Sequence, residues 1–331
     1  MLSDKQLVPA ATFIGGHRKS GTTLLVTLLD GHPELSTVPT DSGFFYAYYP
    51  PYDGPKYTLK QKQERMLERC IHPFGDLVAR LKGGRQLVSC AGRMEPEFLD
   101  RTRRGTGDSR EMLLAMVMTY RQCSPLPKDR HRRWVEKTTS AEIYAADAKR
   151  WFPKARFIHV VRDPRDNYGS LKSGWEKRYK HHNDALERLL QSHIERGKFG
   201  MELARWNAER YGPRDYLVIR FEDLAREPQR VMRRVARFLG ITFHPGLLQP
   251  TIWGLPWPGN NFEGQKFAGV SAFNVSRWRQ RITAHEATAI EFYYSDIMEY
   301  FGYRPVFKKA RQIDAARRQY AWHNYAQVYS V

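Results

Sequence analysis

The stretch "FIGGHRKSGTTLL", residues 13–25, constrains the fold more than any other part of the 331-residue chain. An apolar run enters a glycine turn, and beyond it Leu24, Leu25, Leu28 and Leu29 recur at helical spacing. A strand, a loop and a helix in that order require neighbouring strands and a layered α/β body. The spacing Gly-x-x-x-x-Gly from Gly16 to Gly21 is that of a phosphate cradle, in which loop and helix N–H groups face an anion. A triphosphate loop would continue with lysine and then serine or threonine. Here the chain reads Thr22-Thr23, and the lysine stands earlier, at Lys19. The cradle is kept, whereas the part that would hold a γ-phosphate and magnesium is altered.

Apolar runs bounded by Gly, Pro or Asp recur along the chain, with helical patterns between them. "ATFIGG", "ELSTVP", "RRWVEK", "ARFIHVVR" and "DYLVIRFED" read as five strands. Helices fit 140–151, 164–173, 183–210 and 228–239. The last has Pro228 near its start, Val231, Val235 and Phe238 on one face, and Gly240 as its stop. The section from Asp41 to Trp134 has no clear strand, but it carries the amphipathic pattern "SREMLLAMVMTYRQC". The expected architecture is one α/β domain over residues 1–331, a central parallel sheet flanked by helices. A helical insertion is expected at about 43–132 and a C-terminal extension from about 305.

Lys and Arg total 54 against 35 Asp and Glu, a formal net charge of +19. Such a surplus attracts anions: nucleic acid, an anionic membrane, a polyanionic glycan or a highly charged small cosubstrate. A nucleic-acid partner is not expected, because the chain carries no helix-turn-helix, zinc-finger or RNA-binding signature. Cys70, Cys90 and Cys123 form no CxxC pair and fit free thiols in a reducing compartment. The N-terminus lacks a signal-peptide pattern and no apolar run is long enough to span a bilayer, so the expected location is cytoplasmic.

A second anion motif lies in "RFIHVVRDPRDNYGSLKSG". A strand ends at Arg162, a Pro-containing turn follows, and Ser170 falls about two turns into the next helix. Arginine's planar fork suits a phosphate, and the serine could clamp it from a second side. Read alone, Arg162-Asp163 serves equally as an ion pair at a strand end.

Taken together, "GHRKSGTT" resembles the 5′-phosphosulfate loop of the PAPS-dependent sulfotransferases, and "VVRDPRDNYGS" their 3′-phosphate motif. "HPEL", "RFEDL", "FLGI" and "SAFNVSRW" are similar to further family segments, in consistent order over about residues 12 to 305. The resemblance implies a P-loop-like sulfotransferase fold. It implies PAPS (3′-phosphoadenosine 5′-phosphosulfate) as cosubstrate, PAP as product, and no required metal. It places Arg18, Lys19, Ser20, Gly21, Thr22 and Thr23 on the 5′-phosphosulfate and Arg162 with Ser170 on the 3′-phosphate. Ser276, Arg277 and Trp278 fall in the closing segment, where Trp278 also fits as a core aromatic. The cradle without its γ-phosphate machinery then has a reason, because this donor has no γ-phosphate.

An acceptor hydroxyl or amine must lose a proton as it attacks sulfur. Where the branch acting on phenols and steroids has Lys-Thr-His, this chain has "VEKTTS", with Thr139 in the histidine's place. The segment is nearer the Glu-Lys-Thr/Ser-Pro stretch of glycan and protein-tyrosine sulfotransferases, which implies a carboxylate base after the second strand. Asp41 holds that position; Glu136 and His17 are the alternatives, and Lys137 is expected at the acceptor or the transferring group. The expected acceptor is a carbohydrate or glycoconjugate, able to carry charge, with small molecules and protein tyrosine as alternatives. A magnesium-dependent kinase or NTPase is the enzymatic rival.

Overall fold

The computed structural model describes residues 7–178 and 185–324. All five expected strands are present: β1 (Ala11–Gly15), β2 (Leu35–Thr37), β3 (Arg133–Lys137), β4 (Arg156–Val161) and β5 (Tyr216–Arg220); an unexpected short antiparallel pair follows at Thr251–Ile252 and Leu255–Pro256. The five form one parallel sheet in the order β2–β3–β1–β4–β5. Successive side chains of a strand point to opposite faces, and β1 feeds two different cores. Phe13 joins an aromatic layer with Trp134, Phe152 and Phe157. Ile14 packs on the other face, with α1 (Thr22–Leu29) among its neighbours.

The insertion is helical, with no strand among its described residues. Its longest helix, α2 (Ser109–Cys123), starts where Asp108 accepts a hydrogen bond from the Glu111 N–H. The aromatic run before it is mostly core: Phe44, Phe45, Tyr48 and Tyr49 are buried, and Tyr46 stands out at 57% exposure.

After β4 comes α3 (Pro164–Arg178). The helix expected at 183–210 begins outside the described residues. It continues as Ala185–Ser192, a π-helical turn at His193–Gly197, and α4 (Lys198–Asp215). α4 breaks at Gly212 (φ 71°) because Pro213 cannot continue its hydrogen bonding. α5 (Pro228–Leu239) has its proline in the first turn and Gly240 in the left-handed conformation just beyond its end.

The C-terminal extension turns back as α7 (Lys309–Asn324) onto α6 (Ala284–Tyr293); residues 325–331 lie outside the described part. Glu291 of α6 is fully buried. It accepts from the Val306 and Phe307 N–H groups and pairs with Arg165, which also pairs with Asp163. The extension is thereby tied to the turn that follows β4. No helix among the described residues is long and apolar enough to cross a membrane.

Candidate functional site

In a parallel sheet, ligands bind beyond the carboxyl ends of the strands where the strand order reverses. Here that place is the crevice over β1 and β4, where the loop 16–21 and Arg162 meet. The loop is pressed hard against its surroundings. A Cβ on Gly16 (φ 137°) would come within 2.5 Å of the Val160 carbonyl oxygen, and one on Gly21 (φ 101°) within 2.4 Å of the Phe221 ring. Lys19 itself has φ 64°, a left-handed conformation uncommon for a residue with a side chain.

Hydrogen bonds hold the loop in this shape. The Gly16 N–H donates to Glu142 Oε2 at 2.7 Å and the Ser20 N–H to the His17 carbonyl at 3.1 Å. Asn167 of α3 donates through Nδ2 to the Arg18 carbonyl at 2.8 Å and to Ser20 Oγ at 3.2 Å. Arg162 donates to the Lys19 carbonyl and to the Asn274 carbonyl, each at 2.7 Å, and its guanidinium lies 4.5 Å over Phe221. The Nε–H of this buried arginine has no acceptor among the described residues. The first turn of α1 contributes backbone N–H groups that a helix cannot satisfy internally. Together these features form a site for an anion.

Next to the loop stands a second group, on the segments leaving β2 and β3. Lys137 Nζ and Thr139 Oγ1 each donate to Asp41 Oδ2 at 2.6 Å, and Lys137 also reaches Thr139 Oγ1 at 3.0 Å. The Ser140 N–H donates to the Gly16 carbonyl at 3.1 Å, which ties this turn to the loop. Burial pushes the Asp41 carboxyl up, but Lys137 and the hydrogen-bond donors outweigh it and hold the carboxyl below the usual range. Asp41 is therefore ionised at neutral pH, with an exposed edge, while Lys137 is almost fully covered.

Loop, Arg162 and the Asp41–Lys137–Thr139 group line a single cavity of about 1020 Å³. The size exceeds the ~300–1,000 Å³ of common small-molecule sites and leaves room for two ligands. Arg18, Lys19, Gly21, Thr22, Thr23 and Ser170 line it as well. Ser20 lies behind the loop, bonded to Asn167.

Glu136 does not reach the cavity. It is fully buried, taking hydrogen bonds from Ser42 and Thr138, and burial pushes its carboxyl up to about 7. His17 lines the cavity, but burial and neighbouring arginines lower its pKa to about 3, so it stays neutral.

The segment 276–278 touches the site only indirectly. The Ser276 and Trp278 N–H groups donate to Asp166, Arg277 pairs with Glu263, and the Trp278 ring is core. Residues nearer the glycine loop lie slightly earlier: Lys19 Nζ donates to the Asn260 carbonyl at 2.9 Å and lies 3.8 Å over the Phe262 ring. Sequence reasoning missed Asn260, Phe262, Asn274 and Glu142. The contacts of Asn260 and Asn274 are made by main-chain carbonyls, which any residue type carries. Asn167 had a signal, inside the motif that gave Arg162.

Fold and cavity together define an α/β protein of the phosphate-loop type, with an anion site beside an ion-paired carboxylate. The chain belongs to the sulfotransferase family, whose model matches residues 11–245. The sulfotransferase domain of the curacin biosynthetic pathway superposes with a TM-score of 0.62 at 18% identity, covering 91% of this chain and 100% of that one. The sulfotransferase domain of the Synechococcus PCC 7002 olefin synthase gives 0.55 at 18%, over 89% and 94% of the two chains. These two show the fold. In sequence, 105 residues are 31% identical to human carbohydrate sulfotransferase 6; the match spans 30% of this chain and 26% of that relative.

Proposed function

We propose that this sulfotransferase moves the sulfuryl group of PAPS onto a hydroxyl of a carbohydrate or glycoconjugate, with Asp41 as the base. The observation that carries the reading is one cavity holding both the loop–Arg162 anion site and the Asp41–Lys137–Thr139 group. The local likeness to human carbohydrate sulfotransferase 6 supports a saccharide acceptor.

In this reading the loop and the first turn of α1 take the 5′-phosphosulfate, and Arg162 with Ser170 takes the 3′-phosphate. The acceptor oxygen attacks sulfur in line and its proton passes to Asp41. The bond from sulfur to the 5′-phosphate oxygen breaks, and PAP leaves with the electron pair. Lys19 offsets charge on that leaving oxygen, an electrostatic role of the kind seen in phosphoryl transfer. Its pairing with Lys137 makes Asp41 a weak base. A sulfuryl group gives Lys137 a second anion to face, which frees Asp41 to accept the proton as the donor arrives.

The test is transfer of label from PAPS to a panel of glycans, with PAP binding measured by calorimetry on the same variants. Lys19→Ala and Arg162→Ala should weaken donor use. Asp41→Asn should keep PAP binding and lose turnover by about 10²–10⁴-fold, the range for a general base. Normal turnover in Asp41→Asn would remove the base assignment, and magnesium-dependent ATP turnover without transfer from PAPS would favour a kinase.

A further inference from the structure

We infer that the acceptor is a neutral saccharide carrying an apolar aglycone, a glycolipid-like molecule whose hydrocarbon part rests on Tyr46, Ile143 and Phe199; this rests on the sulfuryl-transfer reading above. These three side chains keep 57%, 46% and 49% of their surface open, and all three line the cavity that holds Asp41. Exposed apolar surface on a folded chain forgoes roughly 25 cal/mol for each Å² left in water, and such patches mark binding surfaces when they are contiguous.

The three residues come from separate elements: the turn after Asp41, the turn after β3, and α4. No single amphipathic helix places them there by accident of its own periodicity. Leu77 of the insertion and Trp257 add further apolar lining.

The charges in the same cavity are arranged in a complementary way. Arg18, Lys19 and Arg162 belong to the donor loop and its support, and Arg196 lines the cavity three residues before Phe199 in the same helical run. Beside the proposed base the cation is Lys137, already paired with Asp41 at 2.6 Å. Among the described residues, the acceptor end thus combines one ion-paired polar cluster with an apolar wall. That combination fits a hydroxyl on a neutral head group joined to a hydrocarbon, and it offers little to a polyanionic sugar.

The test uses n-alkyl β-D-glucosides from methyl to octyl, below their micellar concentrations, with binding followed by calorimetry with and without PAP. Each added methylene should tighten binding about two- to fourfold, the upper value being ~0.8 kcal/mol per buried CH₂. The double variant Ile143→Ser/Phe199→Ser should flatten that dependence. Both side chains are about half exposed, so the variant should still fold, and its thermal midpoint confirms this. Affinity independent of chain length would overturn the inference. So would a chain-length dependence that survives in the double variant, or a sulfated oligosaccharide binding more tightly than octyl glucoside. Because binding is read without turnover, failed transfer from PAPS to every acceptor would sink the sulfuryl-transfer reading separately.

Discussion

Three carboxyl groups around β3 show how one chemistry takes different roles from its surroundings. Asp41, open at one edge and paired with Lys137, is held ionised. Glu142, buried beneath the loop, has its carboxyl pushed up to about 7 by burial while it accepts the Gly16 N–H. Glu136 is pushed equally far by burial, and its Oε2 has no hydrogen-bond partner among the described residues. Glu136 therefore folds best with a proton on it. Its folded pKa of about 7 lies above the ordinary 4.5, so stability is full below the lower value and is lost as pH rises through the higher one. The loss amounts to about 3 kcal/mol. In Glu136→Gln the amide can still accept from Ser42 and Thr138 and has no charge to bury. Urea unfolding should give nearly equal stabilities for variant and parent at pH 4. The variant should then gain steadily, by about 3 kcal/mol near pH 8. A gap that does not change with pH would mean that Glu136 is not the group that titrates. Its covered position suits support of the Ser42–Thr138 turn beneath Asp41, whereas Asp41 has the open edge that proton transfer to an acceptor requires.

At the scale of elements, the glycine loop 16–21 depends on contact with β4 as much as on its own sequence. Gly16→Ala would drive a methyl into the Val160 carbonyl oxygen at a backbone angle of φ 137°. It should cost about 2–4 kcal/mol and abolish PAP binding. Gly54→Ala is the matched control: Gly54 also has a positive φ but open space around it, so it should lose only about 1 kcal/mol and bind PAP normally. Denaturant titration and calorimetry separate the two, and equal losses would show that φ alone decides. The strands and this loop were legible in the sequence because buried parallel strands are continuous apolar runs and because a cradle needs glycines at fixed spacing. Lys137 and Asp41 were legible as positions, but their 2.6 Å pairing was not, since nothing local records which segments meet beyond the sheet. Thr139 read as a lost histidine, yet its hydroxyl is one of the donors that hold Asp41. The segment that covers Lys19 was legible only approximately. The pattern pointed to 276–278, whereas Lys19 is met by Asn260 and Phe262, in irregular chain with no periodicity to read, and Asn274, in a short 3₁₀ turn, meets Arg162 instead. Burial of Glu142 left no trace either, because a glutamate at the start of a helix is ordinarily solvated.

For the molecule as a whole, a net charge of +19 makes like charges repel one another and favours an anionic partner. The proposed donor site draws on segments far apart in the chain: the loop after β1, Arg162 after β4, and the stretch around Asn274 that Arg162 grips. The residues after β4 are further tied through Arg165 to Glu291, and so to the C-terminal extension. A ligand that binds these segments only when they are assembled stabilises the fold by mass action, about 2.7 kcal/mol at a hundredfold excess over Kd. For a chain of 331 residues that corresponds to a rise of roughly 4 °C in the thermal midpoint. PAP should therefore raise the midpoint by that amount, and Arg162→Ala should lose most of the rise, because its guanidinium joins two of the segments. Lys19→Ala should lose less, since its ammonium faces one end of the ligand while its backbone stays in the loop. A duplex DNA at equal phosphate concentration offers the same charge without the same shape. If the charge surplus alone governed binding, DNA would match PAP at low salt, and both effects would vanish together as salt rose through the screening range. A PAP shift that persists at high salt, while any DNA shift disappears, assigns the binding to the shaped site at the carboxyl edge of the sheet.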